Sequence, residues 1–367
     1  VKLWRDTYLE SRRTMADAGE YTLDINLSDP ITALWVEFRI QNGSTSNKAH
    51  TVADIVDAIE VLDGSDVIFS LDGYEAFALT AYHLGHIPYQ LIHEGNSVTQ
   101  NLFALVPFGR FLGDDLYALN PKKFLNPQVR VKWAATNWGT AGDTTFTTGT
   151  VTLTVVAMVM SGGPEPVGLI QSKEVYTWTT TSGGIEYIDL PNNLPLRSLL
   201  LRADKAATNI SGVVSQVKLN CNAGAFVPLD MRMADYVHML ALSVPPFSYK
   251  HVFRAISGDT LYCVLKQDET LNLTPDQGDV TASYDNHGYG EGSLTAYLAG
   301  TATTSLKNFG AIVSGWCPYR TVSIPLGNPD VPSEWFPASD YTSVRLECTG
   351  AVASGSGYLV VQQERKY

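Results

Sequence analysis

Cysteine is scarce in this chain: Cys221, Cys263, Cys317 and Cys348 are the only four among 367 residues, none falls before position 221, and no two have C-x-x-C spacing. That excludes a dense disulfide scaffold and a paired-ligand zinc site, and predicts four buried thiols in a reducing cytoplasm. Charge is also sparse, at 17% of residues, against roughly 25% in ordinary soluble domains. Basic residues are the smaller share, 25 Lys and Arg against 37 Asp and Glu, for a net charge of −12. Without a basic stripe to meet phosphates, direct DNA or RNA binding is not expected. No uncharged apolar run approaches the ~18 residues of a membrane span. The longest, Val151–Met160, stops at Ser161-Gly162-Gly163. Residues 1–20 are too charged to supply the apolar stretch of a secretory signal, so none is expected there.

Motifs of catalysis are missing as well. There is no G-x-S-x-G elbow, no phosphate-binding Walker loop and no H-E-x-x-H, since His93-Glu94 runs into Gly95-Asn96-Ser97. Gly288-Tyr289-Gly290-Glu291-Gly292 has the wrong spacing for a dinucleotide loop and reads as a loop cluster. His83, His86 and His93 lack a carboxylate or thiol at ligand spacing, which makes them ordinary helix-end and turn histidines. Asp268, Glu269, Asp276 and Asp279 lack the alternation of a calcium loop and read as solvated acids. Asp54, Asp57, Glu60, Asp63 and Asp66 straddle a strand start and a Gly64 turn, so no helix face holds them, and a solvated rim is expected. The reading is therefore of a protein that is not an enzyme, with no catalytic residue, no cofactor and no metal site.

What is present is apolar material, 45% of the chain, enough to exclude disorder, over a length that suits two domains. Most of it falls in short runs rich in β-branched and aromatic residues. Ala33–Ile40, Val67–Leu71, Gln128–Trp133, Val151–Met160, Ser198–Arg202, Val213–Leu219, Leu261–Leu265, Val344–Cys348 and Tyr358–Gln362 all read as strands. Tyr74–Leu84 and Met231–Leu242 carry three- and four-residue apolar spacing and read as helices, and residues 1–18 fit a third, amphipathic one. Ser161-Gly162-Gly163-Pro164-Glu165-Pro166 is the clearest linker.

The two halves repeat each other. Ile25, Leu27 and Phe38-Arg39 match Ile188, Leu190 and Leu201-Arg202 at an offset of 163. Ile59, Val61, Leu71-Asp72, Ala76, Leu84, Pro88 and Tyr89 match Val217, Leu219, Leu229-Asp230, Ala234, Leu242, Pro246 and Phe247 at 158. Val106-Pro107-Phe108-Gly109 then matches Ile324-Pro325-Leu326-Gly327 at 218, and Phe124 with Val129-Arg130-Val131 matches Phe336 with Val344-Arg345-Leu346. The jump of 218 − 158 = 60 residues places an insertion in the second half, within which Gln267–Thr304 reads as a long polar loop.

On these residues, above all Leu105–Val131, Ile185–Ala203, Val331–Gly350 and Tyr358–Tyr367, the chain resembles the double jelly-roll major capsid proteins of tailless icosahedral DNA viruses, those infecting bacteria and archaea in particular. The resemblance implies an all-β fold of two tandem eight-stranded antiparallel jelly rolls, each with a short helix. It implies a 1–20 N-terminal arm, a first jelly roll over 21–163, and a second over 164–367 whose enlarged loop, about 267–304, forms a tower. It also implies a pseudo-hexameric homotrimer located in the virion and assembled in host cytoplasm. Its partners would be neighbouring capsomers, minor capsid and penton proteins, and membrane-associated virion proteins. Trp4, Trp138, Trp178, Trp316 and Trp335 are candidate interface anchors, and Lys2, Arg5, Arg12 and Arg13 make the arm a candidate inward contact. The competing reading is a carbohydrate-binding or hydrolytic β-sandwich, suggested by Thr-, Asn- and Tyr-rich loops.

Overall fold

The computed structural model describes residues 2–43, 50–88, 92–93, 97–135, 146–205, 208–255, 260–264, 267–275, 280–285, 293–298 and 307–367, with backbone alone at 92–93, 249 and 251–311. The first half contains β1 (Leu3–Thr14), β2 (Ala18–Asp24), β3 (Ile31–Gln41), α1 (Val52–Ile55), β4 (Val56–Asp63), β5 (Asp66–Leu71), α2 (Gly73–Leu84), β6 (Ile92–His93), β7 (Thr99–Pro107), β8 (Pro127–Ala134) and β9 (Thr152–Ser161). The second contains β10 (Gly168–Thr179), β11 (Ile185–Asp189), β12 (Leu196–Asp204), α3 (Ile210–Val213), β13 (Val214–Cys221), β14 (Phe226–Arg232), α4 (Met233–Ser243), β15 (Phe247–Ala255), β16 (Thr260–Val264), β17 (Gln267–Pro275), β18 (Val280–Asp285), β19 (Ser293–Leu298), β20 (Lys307–Pro318), β21 (Thr321–Pro325), β22 (Val344–Gly350) and β23 (Ser356–Lys366).

In the first half, sheet order β1-β9-β3-β7 faces β2-β8-β4-β5; in the second, β10-β23-β12-β21 faces β11-β22-β13-β14. Taken in chain order, the strands of the two halves occupy the same places in the same two sheets, and each set of eight is a jelly roll. The matched residues fall on equivalent elements: Phe38 and Leu201 on β3 and β12, Val61 and Leu219 on β4 and β13, Val129 and Val344 on β8 and β22. Alternation drives the packing. Along β8, Val129, Val131 and Trp133 are buried while Gln128, Arg130 and Lys132 are not. Two cores result. The first, around Phe38, Ile59 and Val131, takes in Leu200, Tyr319 and Val360 from the second half, whose own core gathers around Leu201, Leu219 and Leu346.

The helices have local reasons. The Asp72 side chain accepts the Glu75 N–H at 2.8 Å, and the Glu75 carboxylate accepts the Asp72 N–H at 3.4 Å, a reciprocal cap for α2. At the other end Gly85, with φ +72°, turns the chain out of the helix.

Three expectations change. Residues 1–18 are not helical, and the 1–20 segment is not a separate arm: β1 pairs antiparallel with β9 from Leu3↔Ser161 to Thr14↔Thr152, and β2 pairs with β8. Solvent on both faces of an edge strand removes the alternation that identifies strands, leaving LWRDTYLESRRT free to mimic an amphipathic helix. The insertion is stranded rather than a loop. It spans β15 to β20, pairing as β17-β20-β15-β6 and β16-β19-β18, and its side chains over 267–304, including Asp268, Glu269, Asp276, Asp279 and the 288–292 glycine cluster, lie outside the described residues.

Candidate functional site

Four of the five acids expected to form a solvated rim have structural partners instead. Asp54 is buried, accepts the Thr51 N–H at 2.5 Å, and receives the Tyr74 hydroxyl. Glu60 is buried beside Arg130 at 2.6 Å, Asp63 accepts the N–H groups of Leu125 and Asn126, and Asp66 pairs with Arg365 at 2.5 Å; Asp57 is exposed. The histidines do not converge. His86 is exposed against the Leu84 carbonyl, His83 lies inside the molecule, and the side chain of His93 is outside the described residues. Among the described residues no three His, Cys, Asp or Glu side chains are grouped to hold a metal, and no helix is long and apolar enough to cross a membrane. Cys221, Cys317 and Cys348 are buried; the Cys263 side chain is outside the described residues. Of the tryptophans, Trp4 is 37% exposed, Trp178 and Trp316 are half-buried, Trp335 is core, and Trp138 lies outside the described residues.

The distinctive surface is the seam where the two jelly rolls meet. The last strand of the first lobe's second sheet, β5, runs parallel to β10, with Ser172 opposite Phe69 and Lys173 opposite Ser70, so the two sheets fuse into one of eight strands. The Ile170 N–H donates to the Phe108 carbonyl at 2.8 Å, and the Ala118 N–H to the Gly168 carbonyl at 3.0 Å. Ile170 packs with Tyr117 and Trp335 in a small shared core. The Tyr117 hydroxyl donates to Glu364 at 2.7 Å, and the Tyr82 hydroxyl to the Thr321 carbonyl at 2.9 Å. Arg202 of β12 reaches Asp72 at 2.5 Å with its guanidinium 3.7 Å above the Tyr358 ring. Burial, with Asp72 beside it, pushes the Glu75 carboxyl well above the usual carboxylate range.

A cavity of about 190 Å³ remains in this seam, bounded by His83, Arg110, Arg197, Ser198, Asp330 and Gln362. Arg110 is held by Asp114 at 2.7 Å, and the Arg197 guanidinium donates to Gln362 at 2.8 Å and to the Arg110 carbonyl at 3.2 Å. Both His83 ring nitrogens are buried without a protein hydrogen-bond partner, and burial, helped by nearby Arg197, lowers its pKa to about 4.

Each half of the seam has a bare counterpart on the opposite lobe. In β10 all of Gly168–Ser172 is buried, whereas in β1, its equivalent, Leu3–Asp6 is exposed throughout. Helix α2 buries eight of its twelve residues; α4 buries three of eleven and leaves Met239 52% and Leu242 87% exposed. The residues of β14 are mostly exposed where those of β5 are not. The repeat in the sequence matches α2 with α4 and the end of β5 with that of β14, but not β1 with β10, and it carries no signal that one copy of each is covered and the other bare.

No protein-family model and no curated protein sequence matches the chain. Solved structures do. The major capsid protein of Sulfolobus Turreted Icosahedral Virus superposes with a TM-score of 0.61 at 10% identity, covering 98% of this chain and 96% of the other. PBCV-1 VP54, in a structure fitted into a reconstruction of the virophage Sputnik, gives 0.60 at 9% identity over 99% and 94%. The major capsid protein from Bacteriophage PM2 gives 0.54 at 8% identity over 99% and 98%. This chain thus has the double jelly-roll fold of those viral major capsid proteins.

Proposed function

We propose that this protein is a structural major capsid protein, without catalytic activity, whose three-chain capsomers tile an icosahedral viral shell. The observation that carries the reading is the head-to-tail seam: two like lobes joined by unlike faces, with the complementary face left bare at each end. A contact of this kind repeats until it closes into a ring or runs on as a filament. Three copies of a two-lobed chain close a six-lobed, near-hexagonal ring, the shape that covers a shell with few gaps. The division between lobes falls in the 161–166 linker, where the last strand of one jelly roll leads into the first of the next.

Its place is the virion, after assembly in host cytoplasm, with neighbouring capsomers, minor capsid and penton proteins, and membrane-associated virion proteins as partners. The net charge of −12 argues against direct, specific nucleic-acid binding. An obligate ring contact of this kind buries on the order of 2,000 Å² or more per pair. Native mass spectrometry tests the reading: the expected species has three times the 40.0 kDa chain mass, with hexagonal outlines in negative-stain images. A chain that stays single at micromolar concentration overturns it.

A further inference from the structure

The internal repeat duplicates both members of the ion pair that ties the lobes together. Asp72, at the start of α2 in the first lobe, meets Arg202 on β12 of the second at 2.5 Å. Asp230 stands 158 residues beyond Asp72, at the end of β14 just ahead of α4; Arg39 stands 163 residues before Arg202, on β3. Neither counterpart takes part in the contact between lobes. Asp230 is exposed and receives only a same-lobe Gln216 amide at 2.6 Å, and Arg39, with its side chain 35% exposed, pairs with Glu37 on its own strand at 2.7 Å.

A second duplicated feature lies beside Asp230. A groove of about 360 Å³ opens between Phe226, Leu229, Tyr236, Leu326, Phe336 and Tyr341. The Tyr341 ring is stacked flat on Phe226 at 5.8 Å and on Phe336 at 5.3 Å, a rigid aromatic floor. Leu326 is the repeat counterpart of Phe108, whose carbonyl in the first lobe receives the N–H of Ile170 from β10. The equivalent of β10 is β1, and its Leu3, Trp4 and Tyr8 are 61%, 37% and 66% exposed. Acids stand on one side, Asp230 on β14, Asp235 on α4 and Glu334 in the turn before Trp335; the bases on the other are Arg39 on β3, Arg5 on β1 and Lys2 just ahead of it, the last two also paired with Asp29 and Asp115 of their own chain.

We infer that a second copy of this chain docks here, with its Arg39 on Asp230 and the Leu3–Tyr8 stretch of its β1 over the aromatic groove. This rests on the closed-ring reading and supplies its contacts. The match to the seam within the chain is not complete. Pro228 gives β14 no N–H at its middle, so side chains, more than a continued strand ladder, close the joint between copies.

Native mass spectrometry of the full chain tests the inference with Asp230→Arg, Arg39→Asp and the doubly swapped variant, each checked by circular dichroism and melting for an intact fold. The wild type is expected at three chains, Asp230→Arg at one, and the double swap at three again. Met239→Glu, on the bare face of α4 and independent of Arg39, is expected at one chain. Three-chain mass persisting in Asp230→Arg or Met239→Glu, or a double swap that stays dissociated, overturns this contact while leaving the ring reading intact. A single-chain wild type ends both.

Discussion

Arg202 is the residue on which the seam's charge balance turns. Its side chain is 5% exposed, and it faces Asp72 and a fully buried Glu75. Removing the guanidinium leaves the buried Asp72 and Glu75 carboxyls without their cationic partner, so Arg202→Ala is expected to cost about 3–5 kcal/mol in denaturant unfolding. Arg39→Ala, at the half-exposed counterpart, should cost well under about 1 kcal/mol in the single chain. The sequence paired these two arginines as repeats, but a one-dimensional match cannot show which of them finds a carboxylate across a seam.

His83 gives a pH dependence. Its pKa of about 4 in the folded chain lies below the unfolded value of about 6.5, so between those values the unfolded chain binds more protons. Stability is therefore whole above pH 6.5 and falls as the pH drops toward 4. Of the charged groups around this part of the seam, Arg110, Arg197, Asp114 and Asp330, Arg197 opposes protonation and Asp114 favours it, with burial the larger cause. His83→Leu is expected to lose about 2 kcal/mol less than the wild type between pH 7 and pH 5, read from urea melts at both. Equal losses in the two proteins would remove His83 from the account. Its position at a helix end was legible; its burial between lobes was not, because Arg197, Asp330 and Gln362 on its far side are more than a hundred positions away.

At the scale of elements, the Pro-x-Gly turns show why the repeat was visible. Both glycines end the same strand of their lobe and are overhung by the loop that follows. A Cβ at Gly109 would stand 2.7 Å from the Asp114 Cβ and 2.8 Å from the Tyr117 carbonyl; at Gly327 it would stand 2.0 Å from the Glu334 carbonyl, with φ at +105°. Gly327→Ala is expected to lower stability by at least about 2 kcal/mol, combining clash with strain. Gly64→Ala, whose φ is +62° but whose surroundings are open, should cost only about 1 kcal/mol. Comparable melting temperatures for the two variants would count against the packing argument. Elements with such local constraints, or with one face in a core, were legible: β3, β8, β9 and both long helices stand where periodicity placed them. β1, β2 and β14 were not: β1 is wetted on both faces along most of its length, and β2 and β14 turn only Tyr21 and Leu23, or Leu229 and Met231, inward, too few for alternation to stand out.

On the scale of the whole molecule, the bare edges are the surfaces that the proposed ring covers. A long exposed strand at one end and an exposed apolar helix face at the other are hazards in a monomer, inviting uncontrolled pairing. In a closed ring the same surfaces are interior, and the expected three-chain mass and the Asp230–Arg39 swap both follow from that difference. The sequence by itself determined the all-β class, the duplication, the insertion after the second helix and the absence of catalytic motifs. These are written in local periodicity, in glycine and proline chemistry, and in the order of recurring segments. Only the tertiary structure decided that the first residues belong to a sheet, that Asp54 and Glu60 of the acids read as solvent-facing are buried with partners, and that one copy of each repeated face is covered while the other is open. Those outcomes depend on which distant strands become neighbours, and contact across a fold leaves no period in the chain.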